Sequence, residues 1–347
     1  MKHIDLMYQT MLAELADRSF DAQFQADFPF SGRFVPVRVK DREYWYFDEP
    51  IDGKNTRRYV GPKSDLALTE RVARFREIKD SLKTRRKFVS TLKRDAGMSG
   101  PNPMAGDVIE ALADAGLFRL RAVLVGTAAF NCYSGILGVR LPNAMLQTGD
   151  VDFAQDFAIS AEVKDSLPPI IELLKTVDPT FRAVPHHSDK VRVAAFTTAA
   201  GFRVEFLTSN RGSDDNTDKP SLMPALGGAA ATPLRFMDYL IYEPVRTVML
   251  HKAGVSVVVP SPERYAIHKM IIASRRKSEG SGSLKKSKDI AQASFLCEAL
   301  VETRRGSDLA EAYQEAWDRG PSWQTAILAG RAMMSKAGEA ALAAALG

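Results

Sequence analysis

One short segment, Gly97–Pro103, divides the chain into two parts of different character. Its sequence, Gly-Met-Ser-Gly-Pro-Asn-Pro, combines residues that interrupt helices and strands. At 347 residues the chain is long enough for about two domains. Before this segment the pattern predicts helices around a few short strands, and after it strands and helices alternate. We therefore expect an N-terminal module of residues 1–100, a mixed core of residues 104–260 and a helical region of residues 261–347.

The composition excludes several protein classes. Apolar residues make up 45% and charged residues 26%, as in ordinary globular proteins. The longest apolar stretch, Ala122–Gly138, is interrupted by polar residues and is too short for a membrane span. The first residues carry an acid and no apolar run, so they do not resemble a secretory signal. Two cysteines cannot build a disulfide framework. We expect a cytoplasmic protein that does not enter a membrane.

Basic residues are concentrated between Val37 and Gly97. This stretch contains 17 Lys and Arg against 10 Asp and Glu, a net +7, whereas the whole chain is +5. A local basic excess favours a polyanionic partner such as RNA or DNA. The alternative is a solvated charged helix, because the pattern predicts one long basic helix over Leu66–Asp95.

The same N-terminal stretch contains aromatic residues in a predicted antiparallel meander. Alternation along the strand places Tyr44 and Tyr46 on one face and Trp45 and Phe47 on the other. One face is expected to pack on the helix, and the other could stack nucleic-acid bases beside arginines. The alternative is a meander that is simply packed as a cap on the helix.

Three pieces of the middle region suggest phosphate chemistry. Gly126 and Thr127 follow an apolar run that predicts a buried strand, and this turn would let backbone N–H groups approach phosphate oxygens. Asp150 and Asp152 lie two residues apart in a predicted strand, so their carboxylates point to the same side. Glu205 lies inside another apolar predicted strand.

Three carboxylates that converge on one sheet edge form a ligand set for Mg²⁺ with substrate phosphates. Two such ions can hold the attacking and leaving oxygens in phosphoryl or nucleotidyl transfer. Each piece alone has an ordinary explanation: a surface acid pair, a packing turn or a rim glutamate. The ordered set is more specific than any of its parts.

This ordered set resembles the DNA polymerase β-like nucleotidyltransferase superfamily. That pattern is a Gly-Ser or Gly-Gly turn, an Asp-x-Asp or Asp-x-Glu strand, and a third acid on a neighbouring strand. The corresponding residues here are Gly126, Thr127, Asp150, Asp152 and Glu205. In detail it is similar to an uncharacterised bacterial branch, through the residues Gly126, Thr127, Ala129, Phe130, Thr148, Asp150 and Asp152. The resemblance covers about residues 122–300 and implies an α+β fold, in which helices flank a mixed polymerase β-like sheet.

A second resemblance concerns the helices that follow. A helix predicted to start at Ser261 carries Lys269, and a later stretch contains Asp289. This arrangement resembles the toxin–antitoxin and abortive-infection branch, in which a Lys contacts nucleotide phosphates and a later helix begins with Lys/Arg-Asp. It implies that Lys269 binds phosphates and that Asp289 orients Lys269 or Arg276 through an ion pair. The alternative is a solvated helix with ordinary surface charges.

These resemblances imply an enzyme that moves an NMP from an NTP to an acceptor. Asp150, Asp152 and Glu205 would hold Mg²⁺, with Mn²⁺ as the other candidate ion, while Gly126, Thr127, Lys269 and Asp289 would form the nucleotide site. RNA or tRNA is the favoured acceptor, followed by a protein or a small molecule. The alternative is a nucleic-acid-binding protein without chemistry on a degenerate nucleotidyltransferase fold.

Overall fold

The computed structural model describes residues 1–28, 32–39, 41–51, 54–75, 82–142, 145, 149–186, 189, 191–210, 219–276 and 281–347. The helices are α1 (Leu6–Asp27), α2 (Leu66–Ala73), α3 (Leu82–Arg94), α4 (Pro103–Asp114), α5 (Gly126–Phe130), α6 (Tyr133–Leu137), α7 (Phe157–Glu162), α8 (Ile170–Val177), α9 (Met237–Leu240), α10 (Pro262–Arg275), α11 (Ser281–Glu302), α12 (Gly306–Asp318), α13 (Pro321–Arg331) and α14 (Lys336–Leu346). The strands are β1 (Arg33–Val39), β2 (Arg42–Ile51), β3 (Lys54–Pro62), β4 (Val123–Val125), β5 (Asp150–Ala154), β6 (Arg182–Val184), β7 (Ala195–Thr197), β8 (Arg203–Ser209), β9 (Ser221–Leu222), β10 (Ala230–Leu234), β11 (Val245–Met249) and β12 (Val255–Val259).

A mixed sheet forms the centre of the molecule. Its strand order is β4-β5-β8-β10-β9, and β7 joins β8 and carries β6 at its other edge. The β5–β8 and β8–β10 pairs are parallel, whereas β4–β5 and β7–β8 are antiparallel. Buried apolar side chains from β4, β5 and β8 join those of α4 and α10 in one core. The predicted α+β class, a mixed sheet with flanking helices, is confirmed.

The predicted meander is present as the antiparallel sheet β1-β2-β3. Its tyrosine face, buried in the main core, consists of Tyr44, Tyr46 and Tyr59. On the other face, Phe47 is buried in a separate cluster with Phe24 of α1, and the Trp45 Nε1–H donates to Thr69 Oγ1 of α2 at 3.0 Å. The prediction that one aromatic face is available for base stacking is therefore wrong, because helices and core cover both faces. The meander is packed as a cap, as in the alternative, but on α1, α2 and the main core and not on one long helix.

The prediction of a single helix over Leu66–Asp95 is also wrong. Helix α2 ends at Ala73 with Arg74 as its C-cap, and α3 begins at Leu82. Residues 76–81 lie outside the described residues. The buried residues Val89 and Leu92 of α3 pack with Leu12 and Leu15 of α1 in a cluster of their own.

Five helices, α10 to α14, follow Ser261, as the sequence predicts. Helix α10 is almost entirely buried, and α11 packs beside it. In the described ranges, no helix is both long and apolar enough to cross a bilayer.

Candidate active site

The alternation of β5 and β8 brings the predicted carboxylates to one face of the sheet. The register places Asp150 opposite Arg203 and Asp152 opposite Glu205 on the parallel neighbouring strand. Paired residues of neighbouring strands point to the same side, and their strands lie about 4.8 Å apart. The opposite face is apolar, since the intervening residues Val151, Phe153, Val204 and Phe206 are buried. We call Asp150, Asp152 and Glu205 the carboxylate face.

The pKa of Asp152, in the carboxylate face, is shifted from its usual value. Desolvation raises its pKa most, and the carboxylates of Asp150 and Glu205 raise it further. Lys269 and Lys285 oppose this in part, and the pKa of Asp152 stands at about 7. The surrounding cations therefore do not fully stabilise the ionised Asp152 carboxylate at neutral pH, and a bound metal cation would stabilise it.

The Gly126 turn touches this carboxylate directly. Gly126 begins α5 at φ +66°, and a Cβ on it would lie 2.8 Å from Oδ2 of Asp152. Only glycine combines this backbone conformation with so close an approach. Thr127 follows at a partly accessible position, whereas Thr148 lies outside the described residues.

Lys269 and Asp289 form a buried ion pair. Lys269 Nζ lies 2.6 Å from Asp289 Oδ1, and Arg276 Nε lies 2.5 Å from Oδ2 of the same carboxylate. Burial would raise the pKa of Asp289, but Lys269 and Arg276 outweigh it and lower that pKa. Asp289 thus orients both cations. It does so from the interior of α11, not from its first turn, because α11 begins at Ser281.

Sequence reasoning missed three further cations at the site. Lys285 Nζ lies 3.7 Å from Asp150 Oδ2, and Arg203 Nε donates to Glu205. Burial lowers the pKa of Lys288, and the positive charge of the nearby Lys269 lowers it further. The i, i+2 spacing of Arg203 and Glu205 could have revealed their contact. The Lys285 contact depends on how α11 packs and has no local signal.

Helix α10 holds the glycine turn from behind. The Tyr265 hydroxyl lies 2.9 Å from the carbonyl oxygen of Gly126 and 3.1 Å from Gln292 Oε1. The Tyr265 ring also lies 5.3 Å from Lys269 Nζ. One buried tyrosine therefore connects the Gly126 turn, Lys269 and α11.

Another cluster of side chains has its candidate metal-ligand atoms closer together than the carboxylate face. Among the described residues, the set whose ligand atoms all lie within 4.8 Å of one another is Asp107, Glu110 and His251. We call it the α4 cluster. Both of its carboxylates already have a cation partner, since Lys252 Nζ lies 2.7 Å from Asp107 and 2.5 Å from Glu110.

A cavity of about 590 Å³ lies at the far end of β4 from the glycine turn. Its lining includes Arg121, Val123 and Tyr242. None of the carboxylate-face residues contributes to it, so it is separate from the candidate active site.

The strand, glycine turn, paired-aspartate strand and third-acid strand define a phosphate-transfer class of site. A model of a family described as "Nucleotidyltransferase" matches residues 103–318. The chain belongs to this nucleotidyltransferase family, and the predicted enzyme class is confirmed. No curated protein matches the chain.

One solved structure is similar, that of an antigenic nucleotidyltransferase-like protein from Paracoccidioides brasiliensis. The identity is 14%, the match covers 67% of this chain and 95% of that chain, and the TM-score is 0.30. A likeness this low supports no inference about the present chain.

Proposed function

We propose that the protein transfers an NMP from an NTP to a hydroxyl group of an acceptor. The observation that carries this proposal is the contact between the Gly126 turn and Asp152, with Asp150 and Glu205 on the same face. A turn that accepts phosphate oxygens and carboxylates that hold cations must be adjacent for nucleotidyl transfer.

Carboxylate oxygens are the ligands that Mg²⁺ prefers. The carboxylate face fits such an ion because burial, and after it the neighbouring charges of Asp150 and Glu205, disfavour the ionised form of Asp152 and raise its pKa. Asp150, Asp152 and Glu205 would hold Mg²⁺, or Mn²⁺ in its place. Once bound, the ions would neutralise charge on the triphosphate and polarise the attacking and leaving oxygens.

The chain's own groups have separate tasks. The backbone of Gly126 and Thr127 receives the triphosphate, and Lys269 supplies a positive charge to it. Asp289 holds Lys269 in place through the 2.6 Å contact. Lys285 and Arg203, which pair with Asp150 and Glu205, would also be within reach of phosphate oxygens.

The reaction is an in-line displacement. An acceptor oxygen bonds to the α-phosphorus, the bond from that phosphorus to the α,β-bridging oxygen breaks, and pyrophosphate leaves. The hydroxyl proton passes to a base, for which Glu205 is the candidate because it borders the pair of aspartates.

Incubation with each α-labelled NTP, Mg²⁺ and cell extract tests the proposal. We expect label to appear in one class of macromolecule or small molecule, and to disappear when Asp152 is replaced by Asn. Label-free products with every NTP, combined with retained nucleic-acid binding, would favour the alternative of a binding protein without chemistry.

The finer assignments rest on the sequence. RNA or tRNA is the favoured acceptor, because the N-terminal segment is basic. From Lys269 and Asp289 we place the protein in the bacterial toxin–antitoxin and abortive-infection branch, and we propose that it acts in the cytoplasm.

A further inference from the structure

Helix α3 has a charge distribution that sets it apart from its surroundings. Its 13 residues include six basic side chains and no acidic one. Five of the six are exposed: Lys83, Arg86, Lys87, Lys93 and Arg94. At 100° per residue they fall within an arc of about 120° and extend over about 16 Å of helix. We call these five residues the α3 face.

The rest of the helix explains why these charges point outward. Val89 and Leu92 are buried against α1 on the opposite side. The sixth basic residue, Arg85, is turned inward, where its Nη1 donates to the carbonyl oxygen of Ala253 at 3.3 Å.

Most residues of the α3 face have no ion-pair partner in the described part of the chain. Arg94 pairs with Asp95 at 2.8 Å. Within the described ranges, Lys83, Arg86, Lys87 and Lys93 have no carboxylate within ion-pair distance. The exposed Arg38 of the meander differs in this respect, since it lies 3.9 Å from Asp41. Four neighbouring uncompensated charges create a local positive potential that attracts a polyanion.

Beyond its C-terminal end, α3 is followed by a segment that contacts Arg140. Gly97, three residues beyond α3, packs against Arg140, whose guanidinium would lie 2.9 Å from a Cβ on that glycine. Arg140 has a buried Nε without a hydrogen-bond partner. Five positions after Arg140 in the sequence, the carbonyl oxygen of Met145 accepts a hydrogen bond from Gln292 Nε2 at 3.0 Å. Gln292 in turn contacts Tyr265, the residue behind the glycine turn.

We propose that the α3 face, continued by Arg140, binds the phosphodiester backbone of a nucleic-acid acceptor and guides its end to the carboxylate face. This inference rests on the proposed function for the chemistry, and it narrows the acceptor to a nucleic acid. It also narrows the basic segment to one helix: the meander aromatics are buried, so binding is through backbone charge without base stacking.

Three full-length variants test the proposal. The first, K83Q/K87Q/K93Q, removes three charges from the α3 face. The matched control, R33Q/R38Q/R42Q, removes three exposed charges from the meander of the same N-terminal region. The third, K83R/K87R/K93R, keeps the charge of the α3 face. Filter binding uses an RNA hairpin with a single-stranded 3′ end and the DNA of the same sequence, from low to high salt.

We expect the α3 glutamine variant to bind at least about tenfold more weakly at ~0.1 M salt, and its log–log salt slope to fall by about two. The meander variant and the arginine variant should bind like the wild type. If both RNA and DNA bind, the protein recognises the phosphodiester backbone that they share. If only RNA binds, the protein also contacts the 2′-hydroxyl group. Equal losses in the α3 and meander variants would overturn the proposal.

Calorimetry with NTP and Mg²⁺ on the same proteins separates this inference from the proposed function. Wild-type protein that binds NTP but neither nucleic acid refutes the α3 inference and leaves the transfer reaction with another acceptor. Wild-type protein that binds nucleic acid through α3 but no NTP refutes the proposed function and leaves α3 as a binding surface.

Discussion

The carboxylate face and the α4 cluster both collect three side chains that can bind a metal, yet they differ in how their charge is balanced. The α4 cluster has the tighter geometry, with its ligand atoms within 4.8 Å. Burial alone would raise the pKa of Asp107, but hydrogen bonds from Lys252 and His251 outweigh it and lower that pKa. At the carboxylate face, burial and neighbouring acids raise the pKa of Asp152 to about 7.

The comparison shows that close ligand atoms do not by themselves identify a metal centre. In the α4 cluster a lysine ammonium already stabilises the carboxylates, so a dication would have to displace it. At the carboxylate face Lys285 pairs with Asp150 and Arg203 with Glu205. Asp152 forms no ion pair with the described residues, and its charged form is unfavourable, so a dication would stabilise that charge. The Gly126 turn lies beside the carboxylate face.

The largest effect should come from D152N. We expect nucleotide transfer to fall by at least about 10³-fold, because a ligand at the centre of the site is lost. Folding raises the pKa of Asp152 from 3.8 to about 7. The unfolded carboxyl therefore ionises first, and the fold loses stability as the pH rises from about 4 to 7.

The D152N protein should accordingly be more stable at neutral pH, by about 1–3 kcal/mol. Thermal melts in the presence and absence of Mg²⁺ check this, with D107N as the control. A D152N protein that transfers nucleotide and melts earlier than the wild type would place the metal elsewhere.

The next largest effect should come from K269A. We expect NTP affinity to fall about 10–100-fold, the range for a lost charge-assisted contact, while Mg²⁺ affinity stays within about twofold. Asp289 keeps Arg276 as a partner, so it is not left as an isolated buried charge. Calorimetry with NTP and with Mg²⁺ separately measures both effects, and K286A removes a neighbouring lysine of α11 as the control. Parallel loss of both affinities would argue that Lys269 supports the fold and not the phosphates.

A pH titration of metal binding distinguishes the two clusters further. Because Asp152 must lose its proton to bind a cation, Mg²⁺ affinity should fall by up to about tenfold per pH unit below pH 7. Calorimetry in two buffers of different ionisation enthalpy should detect the released proton. D152N should abolish this dependence, and D107N should preserve it; the reverse result would assign the metal to the α4 cluster.

The smallest effect should come from D107N. Its partners Lys252 and His251 stabilise a partly exposed carboxylate, so we expect a loss of about 0.5–1 kcal/mol in the free energy of unfolding. Because folding lowers the pKa of Asp107, this contribution is present above pH 3.8 and disappears in stronger acid. Urea unfolding at pH 7 and pH 3 measures it, and nucleotide transfer should be unchanged. Impaired transfer in D107N would contradict a purely structural role for the α4 cluster.

The parts of the site that could be predicted from sequence are those fixed by local periodicity. Alternation in β5 placed Asp150 and Asp152 on one side, and the apolar run before Gly126 predicted a strand that enters a turn. Alternation also assigned the meander aromatics to two faces correctly. It could not tell that both faces are covered, because Phe24 and the main core reach them from distant parts of the chain.

The charges that complete the site could not be predicted for the same reason. Lys285 reaches Asp150 across 135 positions of sequence, through the packing of α11 beside the sheet. The burial that shifts the pKa of Asp152 is likewise a property of the assembled core. Sequence therefore located the acids, while their electrostatic environment depends on the tertiary structure.

The contact between Tyr265 and the Gly126 carbonyl has a consequence for how this enzyme can be divided. Tyr265 belongs to the helical region that follows residue 260, whereas Gly126 lies in the sheet core. A protein truncated after β12 would retain all three acids of the carboxylate face. It would lack the hydroxyl that supports the glycine turn, together with the lysine predicted to meet the triphosphate. The proposed active site is thus built jointly by the core and the C-terminal helices, so a replacement of either part would have to preserve the contact between Tyr265 and Gly126.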